Sequence, residues 1–134
     1  MSRILTLSEA ASIAVHGMVL VARSDKLVNV NQIAELTSSS RHHVAKVFQR
    51  LVKENFISSS RGPNGGFSLK MAPADISFLD IYEAIEGKIE ITKCPLDKPI
   101  CSFDKCIFKN VIKDLTLEFR KYMEEQTLDK YLAD

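Results

Sequence analysis

Residues 38–71 read SSSRHHVAKVFQRLVKENFISSSRGPNGGFSLKM, and the spacing within this stretch decides the fold. Val44, Val47, Phe48 and Leu51 recur at i, i+3, i+4 and i+7, one face of a helix, behind a serine run in which Ser40 is the best N-cap. A helix over about 40–55 follows. Its opposite face carries Arg41, His42, Lys46, Gln49, Arg50 and Lys53, long polar side chains that the apolar stripe leaves pointing at water. Residues 56–61 and 67–71 are short strand-like runs. Gly62, Pro63, Asn64, Gly65 and Gly66 between them are turn-formers, several of them tolerant of positive φ. The pair therefore reads as a β-hairpin with a glycine tip.

Upstream, Thr6 and Glu9 have the form of a capping box, and Leu7, Ala11, Ala14, Met18 and Val21 then recur at helical spacing as far as Arg23. Asn29 and Gln32 open a second helix, barely two turns long, with Val30, Ile33, Ala34 and Leu36 or Thr37 on its buried face. Two close helices, the second cationic on its outer face, suggest a helix-turn-helix. Downstream, Ser77 and Asp80 repeat the capping-box pattern, Phe78, Ile81, Tyr82 and Ile85 make an apolar face, and Gly87 stands where a helix stop belongs. Residues 88–106 contain Pro95 and Pro99 without a consistent period, so they read as a loop. From 107 to about 126 the apolar residues Ile107, Val111, Leu115, Phe119, Tyr122 and Met123 predict a long helix, with Thr127 capping a last short turn. The expected fold is mainly α with a small β-hairpin wing. It comprises a winged helix-turn-helix over 1–87, a cysteine-containing loop over 88–106, and a dimerisation helix with its C-terminal turn over 107–134.

At 134 residues and 46% hydrophobic content the chain can bury a real core. Lys plus Arg (18) and Asp plus Glu (17) nearly cancel, so the net charge of +1 names no partner. The distribution says more. Residues 38–70 hold six basic residues and one acidic, an excess of +5, whereas 81–134 hold nine basic and eleven acidic, a balance of −2. The first segment is suited to phosphate and the second is not. The apolar run over 13–22 is interrupted by His16 and reads as an amphipathic helix. No stretch reaches the length of a bilayer span, so the expectation is a cytoplasmic protein with no membrane partner. There is no Ser/His/Asp arrangement, phosphate loop or paired-acid site, so no enzyme is expected. A thiol oxidoreductase would want Cys-x-x-Cys or a cysteine at a helix N-terminus, and Cys106 alone fits the latter.

The wing sequence Ser60-Arg61-Gly62-Pro63-Asn64-Gly65-Gly66-Phe67 matches the pattern Val-Arg-Gly-Pro-x-Gly-Gly-Tyr, with Ser60 and Phe67 as departures. By this string the chain resembles the Rrf-two family of winged-helix transcription factors, with its IscR-like and NsrR-like branches. Ile13-Ala14-Val15 with Met18, Ile33-Ala34-Glu35, Asp80-Ile81 to Glu86-Gly87 and Thr127-Leu128 agree with it along the whole chain. The resemblance implies a homodimer joined through the long C-terminal helices, two recognition helices and two wings on a palindromic operator in double-stranded DNA. The DNA-binding candidates are Ser40, Arg41, His42, Lys46 and Arg50 on the helix and Arg61, Gly62 and Pro63 on the wing. A recognition helix enters the major groove, and a thin glycine-tipped ribbon fits the minor one.

The three cysteines form Cys94-x6-Cys101-x4-Cys106 and lack the Cys-x2-Cys knuckle of common structural zinc sites. An odd count within thirteen residues favours metal or redox chemistry over a disulfide framework. In the resembled family such a triplet holds an iron-sulfur cluster, [2Fe-2S] or [4Fe-4S], with a fourth ligand that is not cysteine. IscR-like members place a histidine three residues beyond the last cysteine, where this chain has Lys109. Other branches take the ligand from the partner's first helix. Here Glu9, Ser12 and His16 share one face, with Ser12 where an NsrR-like carboxylate stands and His16 the favoured donor. Glu9, Asp97, Asp104 or a small molecule remain alternatives. His42 and His43 are expected to face DNA or water. The functional expectation is a homodimeric regulator sensing iron-sulfur status, redox state or nitric oxide. The alternative is a cofactor-free or zinc-binding winged-helix interaction protein.

Overall fold

The computed structural model describes residues 7–91, 102–105 and 107–134. The elements are α1 (Glu9–Arg23), α2 (Val30–Thr37), α3 (Arg41–Lys53), β1 (Ile57–Ser60), β2 (Gly66–Leu69), a 3-10 turn (Pro73–Asp75), α4 (Phe78–Glu86), α5 (Val111–Glu125) and a second 3-10 turn (Leu128–Tyr131). The apolar stripes explain why they pack. Ile13, Ala14, Met18 and Val21 of α1, Ile33 and Ala34 of α2, and Val44, Val47, Phe48 and Leu51 of α3 are all buried in one cluster with Ile57, Ile76, Ile81 and Leu128, and Ala11 is buried as well. Each fully buried large side chain contributes about 1.5–3 kcal/mol of transfer free energy, so this cluster holds the helices at fixed angles.

The first helix starts differently from the expectation. Ser8, not Thr6, is the N-cap: its hydroxyl accepts from the Ala11 N–H at 3.0 Å, and Glu9 becomes the first helical residue, where a carboxylate suits the dipole. Thr6 lies outside the described residues. The capping boxes at Asn29/Gln32 and Ser77/Asp80 are both present. In α2 the Thr37 hydroxyl donates to the Ile33 carbonyl at 2.8 Å, and Leu36 is exposed rather than buried. Ser38, in the left-handed region at φ 52°, turns the chain from α2 into α3, and Ser40 caps α3 by accepting from the His43 N–H.

The hairpin pairs Ile57 with Leu69 and Ser60 with Gly66, antiparallel, and the Gly65 N–H donates to the Gly62 carbonyl to close its tip. On its other side β2 is bridged to the α1–α2 linker, Phe67 and Val28 exchanging both backbone hydrogen bonds at 2.7 and 3.1 Å. Gly66 permits that approach. Its φ is +152°, and a Cβ there would stand 2.7 Å from the Val28 carbonyl oxygen. Phe67 then sits with its ring centroid 5.0 Å from that of Phe48, so the root of the wing is packed onto α3.

Residue 79 departs from the expected face of α4: Leu79 is buried, while Phe78, Tyr82 and Ile85 are half-buried. Phe78 and Tyr82 also meet the C-terminal segment. Tyr82 meets Phe119 edge to face at 5.5 Å and Phe78 stacks on Tyr131 at 5.0 Å. The Phe78 N–H donates to the Gln126 carbonyl and the Leu128 N–H to the Ile76 carbonyl, a bridge that drops Leu128 into the core. Arg23 closes the arrangement by donating to the Tyr131 carbonyl and the Asp134 carboxylate. Thr127 sits at the cap position of the last turn, but its hydroxyl bonds the Asp129 carboxylate rather than the backbone. The long helix begins at Val111 and not at 107. Lys109 and Asn110 have φ of 52° and 62°, which no right-handed helix continues. Among the described residues no helix is long and apolar enough to cross a membrane.

Candidate nucleic-acid interface

Burial of Val44, Val47, Phe48 and Leu51 fixes the roll of α3, and the remaining flank is left in solvent: Arg41, His42, Lys46, Gln49, Arg50 and Lys53 are all exposed. Along Arg41–Lys53 there is no acidic residue, so the charges of Arg41, Lys46, Arg50 and Lys53 are unopposed on this helix. Arg61, Gly62 and Pro63 are exposed at the tip of the wing, and Gly62 has φ +107°. The Phe48–Phe67 contact makes helix and hairpin one rigid piece, although the two groups lie in separate stretches of chain. Ser40 belongs to this surface as the exposed cap of α3.

Two contacts at the start of α3 were not expected from the sequence. Arg41 Nη1 donates to Asn31 Oδ1 of α2 at 3.1 Å. His43 is half-buried, with its Nδ1 3.4 Å from Glu9 Oε1, so it is turned toward α1 and away from the outer flank that His42 shares. Both contacts join residues brought together by the fold, and no local pattern announces either. Glu9 is consequently engaged by His43 rather than by a capping role.

Farther back on α1, Glu9, Ser12 and His16 line one depression with Leu36 and Thr37. The Ser12 carbonyl lies 2.7 Å from His16 Nδ1. A carbonyl only accepts, so Nδ1 is the donor, and in the neutral ring Nε2 is then the nitrogen with the lone pair. His16 is exposed and also borders an apolar groove of about 640 Å³ between α1, α4 and α5, lined by Val15, Val19, Leu20, Phe78, Phe119 and Tyr122 among others. Val111, Leu115, Leu117 and Tyr122 are exposed apolar side chains on α5. Cys94, Cys101 and Cys106 lie outside the described residues, as does Asp97. Asp104 is exposed. Among the described residues no group of three His, Cys, Asp or Glu is placed to hold a metal.

Residues 7–134 match the family model described as Rrf2, iron-dependent transcriptional regulator. The chain is 32% identical over 108 residues to the HTH-type transcriptional regulator NsrR of Bacillus subtilis, covering 79% of this chain and 74% of that one. It is 24% identical over 107 residues to the HTH-type transcriptional regulator IscR of Aliivibrio salmonicida, covering 80% and 64%. In fold it is similar to CymR, the global cysteine regulator of B. subtilis, with a TM-score of 0.78 at 21% identity over 97% of this chain and 99% of that one. It is also similar to T. potens IscR, with a TM-score of 0.73 at 23% identity over 96% and 86%. These relatives are transcriptional regulators and not enzymes, and their winged-helix architecture is the one described above. By the match along nearly its whole length, this chain belongs to the Rrf2 family of iron-dependent transcriptional regulators.

Proposed function

We propose that the protein is a cytoplasmic, homodimeric regulator that reads a palindromic operator through α3 and the wing, and that Cys94, Cys101 and Cys106 make this reading responsive to an iron-sulfur cluster. The observation that carries the DNA reading is the exposed, acid-free flank of Arg41, His42, Lys46 and Arg50, packed beside a wing that presents Arg61, Gly62 and Pro63. Helix side chains supply donors to major-groove base edges, and Arg61 supplies the cation for the minor groove. Exposed apolar residues on α5 and the groove beside α1 support pairing with a second copy, since such a face in water favours a partner. Two heads so joined meet half-sites about 34–36 Å apart, one turn of duplex.

The donor set fits a cluster. Three thiolates are soft, anionic ligands suited to iron, and the neutral imidazole of His16, with Nδ1 donating to the Ser12 carbonyl, would offer Nε2 as a ligand. Glu9, held by His43, is the less available donor of the two. When bound, such a cluster would supply a centre open to reaction with oxygen or nitric oxide. The chain's own part is to hold it on residues 88–106, between the winged domain and α5, so that a change in this segment alters the spacing of the two heads.

Anaerobic purification with absorption spectroscopy, iron and sulfide analysis, and duplex titration across a salt series tests this reading. A brown protein whose colour is lost in Cys101→Ala, and whose steeply salt-dependent operator affinity differs with and without the cluster, is the expected result. Iron-free protein after anaerobic reconstitution would leave a cofactor-free regulator. One colourless zinc per chain with no salt-sensitive DNA binding would make it an interaction module.

A further inference from the structure

Arg41 is the first residue of α3 and Asn31 the second of α2, and the turn at Ser38 folds the two helices so that these side chains meet at 3.1 Å. Both are exposed and neither belongs to the core. An exposed neutral acceptor gives such a bond little net stability, because water competes for both partners. Its main effect is to limit where a long, otherwise mobile guanidinium stands.

That limit has a direction. In a helix-turn-helix the recognition helix enters the major groove while the helix before it crosses the sugar-phosphate backbone. An untethered arginine at the start of α3 reaches toward base edges. One tied by Nη1 to α2 is kept at the rim of the groove, with Nε and Nη2 left to donate to an anion. His43, in the same first turn, is drawn to Glu9, which leaves His42, Lys46, Gln49 and Arg50 as the side chains directed outward. The geometry points to Arg41 as a contact to a backbone phosphodiester, and to Asn31 as the positioning residue that aims it. Asn31 is thereby a determinant of register on the duplex, not of sequence preference.

This inference rests on the DNA-binding reading above, and its test separates the two. The probes are a duplex selected by the wild-type full-length protein from a randomised pool and a scrambled duplex of equal length, each titrated across a salt series. Arg41→Ala is expected to weaken both duplexes by the same factor and to flatten the slope of log K against log salt by about 0.9 per protein copy. Asn31→Ala is expected to weaken binding roughly two- to tenfold per half-site, the range of one modest hydrogen bond, and to have no effect when Arg41 is already alanine. Its thermal midpoint should match wild type, since the side chain is exposed. A larger loss for Arg41→Ala on the selected duplex than on the scrambled one would make Arg41 a base reader and overturn the proposal. So would an Asn31→Ala penalty that persists in the Arg41→Ala background. If the wild type binds neither duplex in a salt-dependent manner, the DNA reading itself falls.

Discussion

Replacing Gly17 by alanine sets two effects of opposite sign against each other. Gly17 is buried in the middle of α1, and a Cβ there would stand 2.5 Å from Phe48 Cζ, 2.7 Å from Phe48 Cε2 and 3.0 Å from Ile33 Cγ2. Helix propensity alone favours the change by about 1 kcal/mol. Overpacking opposes it by about 1–3 kcal/mol. The upper part of that range applies, because the Phe48 ring is fully buried and backed by Phe67, so it has no solvent-filled space to swing into. The net expectation is a loss of about 1–2 kcal/mol, which for a chain of this length lowers Tm by roughly 4–8 °C. Thermal unfolding followed by circular dichroism measures it, with Phe48→Leu and the double variant alongside. If the steric account is right, Gly17→Ala costs less in the Phe48→Leu background, with a coupling of about 1 kcal/mol. A Tm for Gly17→Ala equal to or above wild type would refute the reasoning, since propensity would then have won.

Leu115→Glu alters an already exposed position on α5, so the monomer should stay folded, but a carboxylate in the apolar contact of the proposed dimer should raise its dissociation constant by about tenfold or more. Sedimentation equilibrium reads this directly, and an unchanged dimer would exclude α5 from the contact. Ser77→Ala removes the hydroxyl that accepts from the Asp80 N–H at 3.0 Å, at a cost of about 1 kcal/mol in denaturant unfolding; no change in midpoint would mean that water replaces the cap.

The winged core was legible because its signals are local and agree with one another. The Val44, Val47, Phe48, Leu51 stripe, the two capping boxes and the glycine tip each specify one element, and the observed elements follow them within a few residues. The errors arose where two local solutions competed or where a tertiary contact decided. Thr6 and Ser8 are both good caps for α1, and nothing in the spacing shows that Ser8 also bonds Glu86 of α4. The start of α5 was misplaced because the apolar period runs on through 107–110, while Lys109 and Asn110 adopt positive φ. Leu79 is buried alongside Ile81, and nothing in the spacing shows that Phe78 and Tyr82 meet Tyr131 and Phe119 from the far end of the chain. On the candidate surface the cationic flank could be read directly from the stripe behind it. The Asn31–Arg41 and Glu9–His43 contacts could not, since each joins different helices.

Phe119, packed on Tyr82, and the buried Met123 hold α5 by its C-terminal half, while Val111 and Leu115 stand clear of the core. A rod held this way is a lever with its fulcrum at Phe119. At 1.5 Å per residue its arm to Val111 is about 12 Å, so a rotation of about 5° sweeps the tip through roughly 1 Å. The tip is where the chain returns from the cysteine-bearing stretch, and the leverage runs both ways: a pull of little more than an ångström there needs only a few degrees of yield at the anchored end.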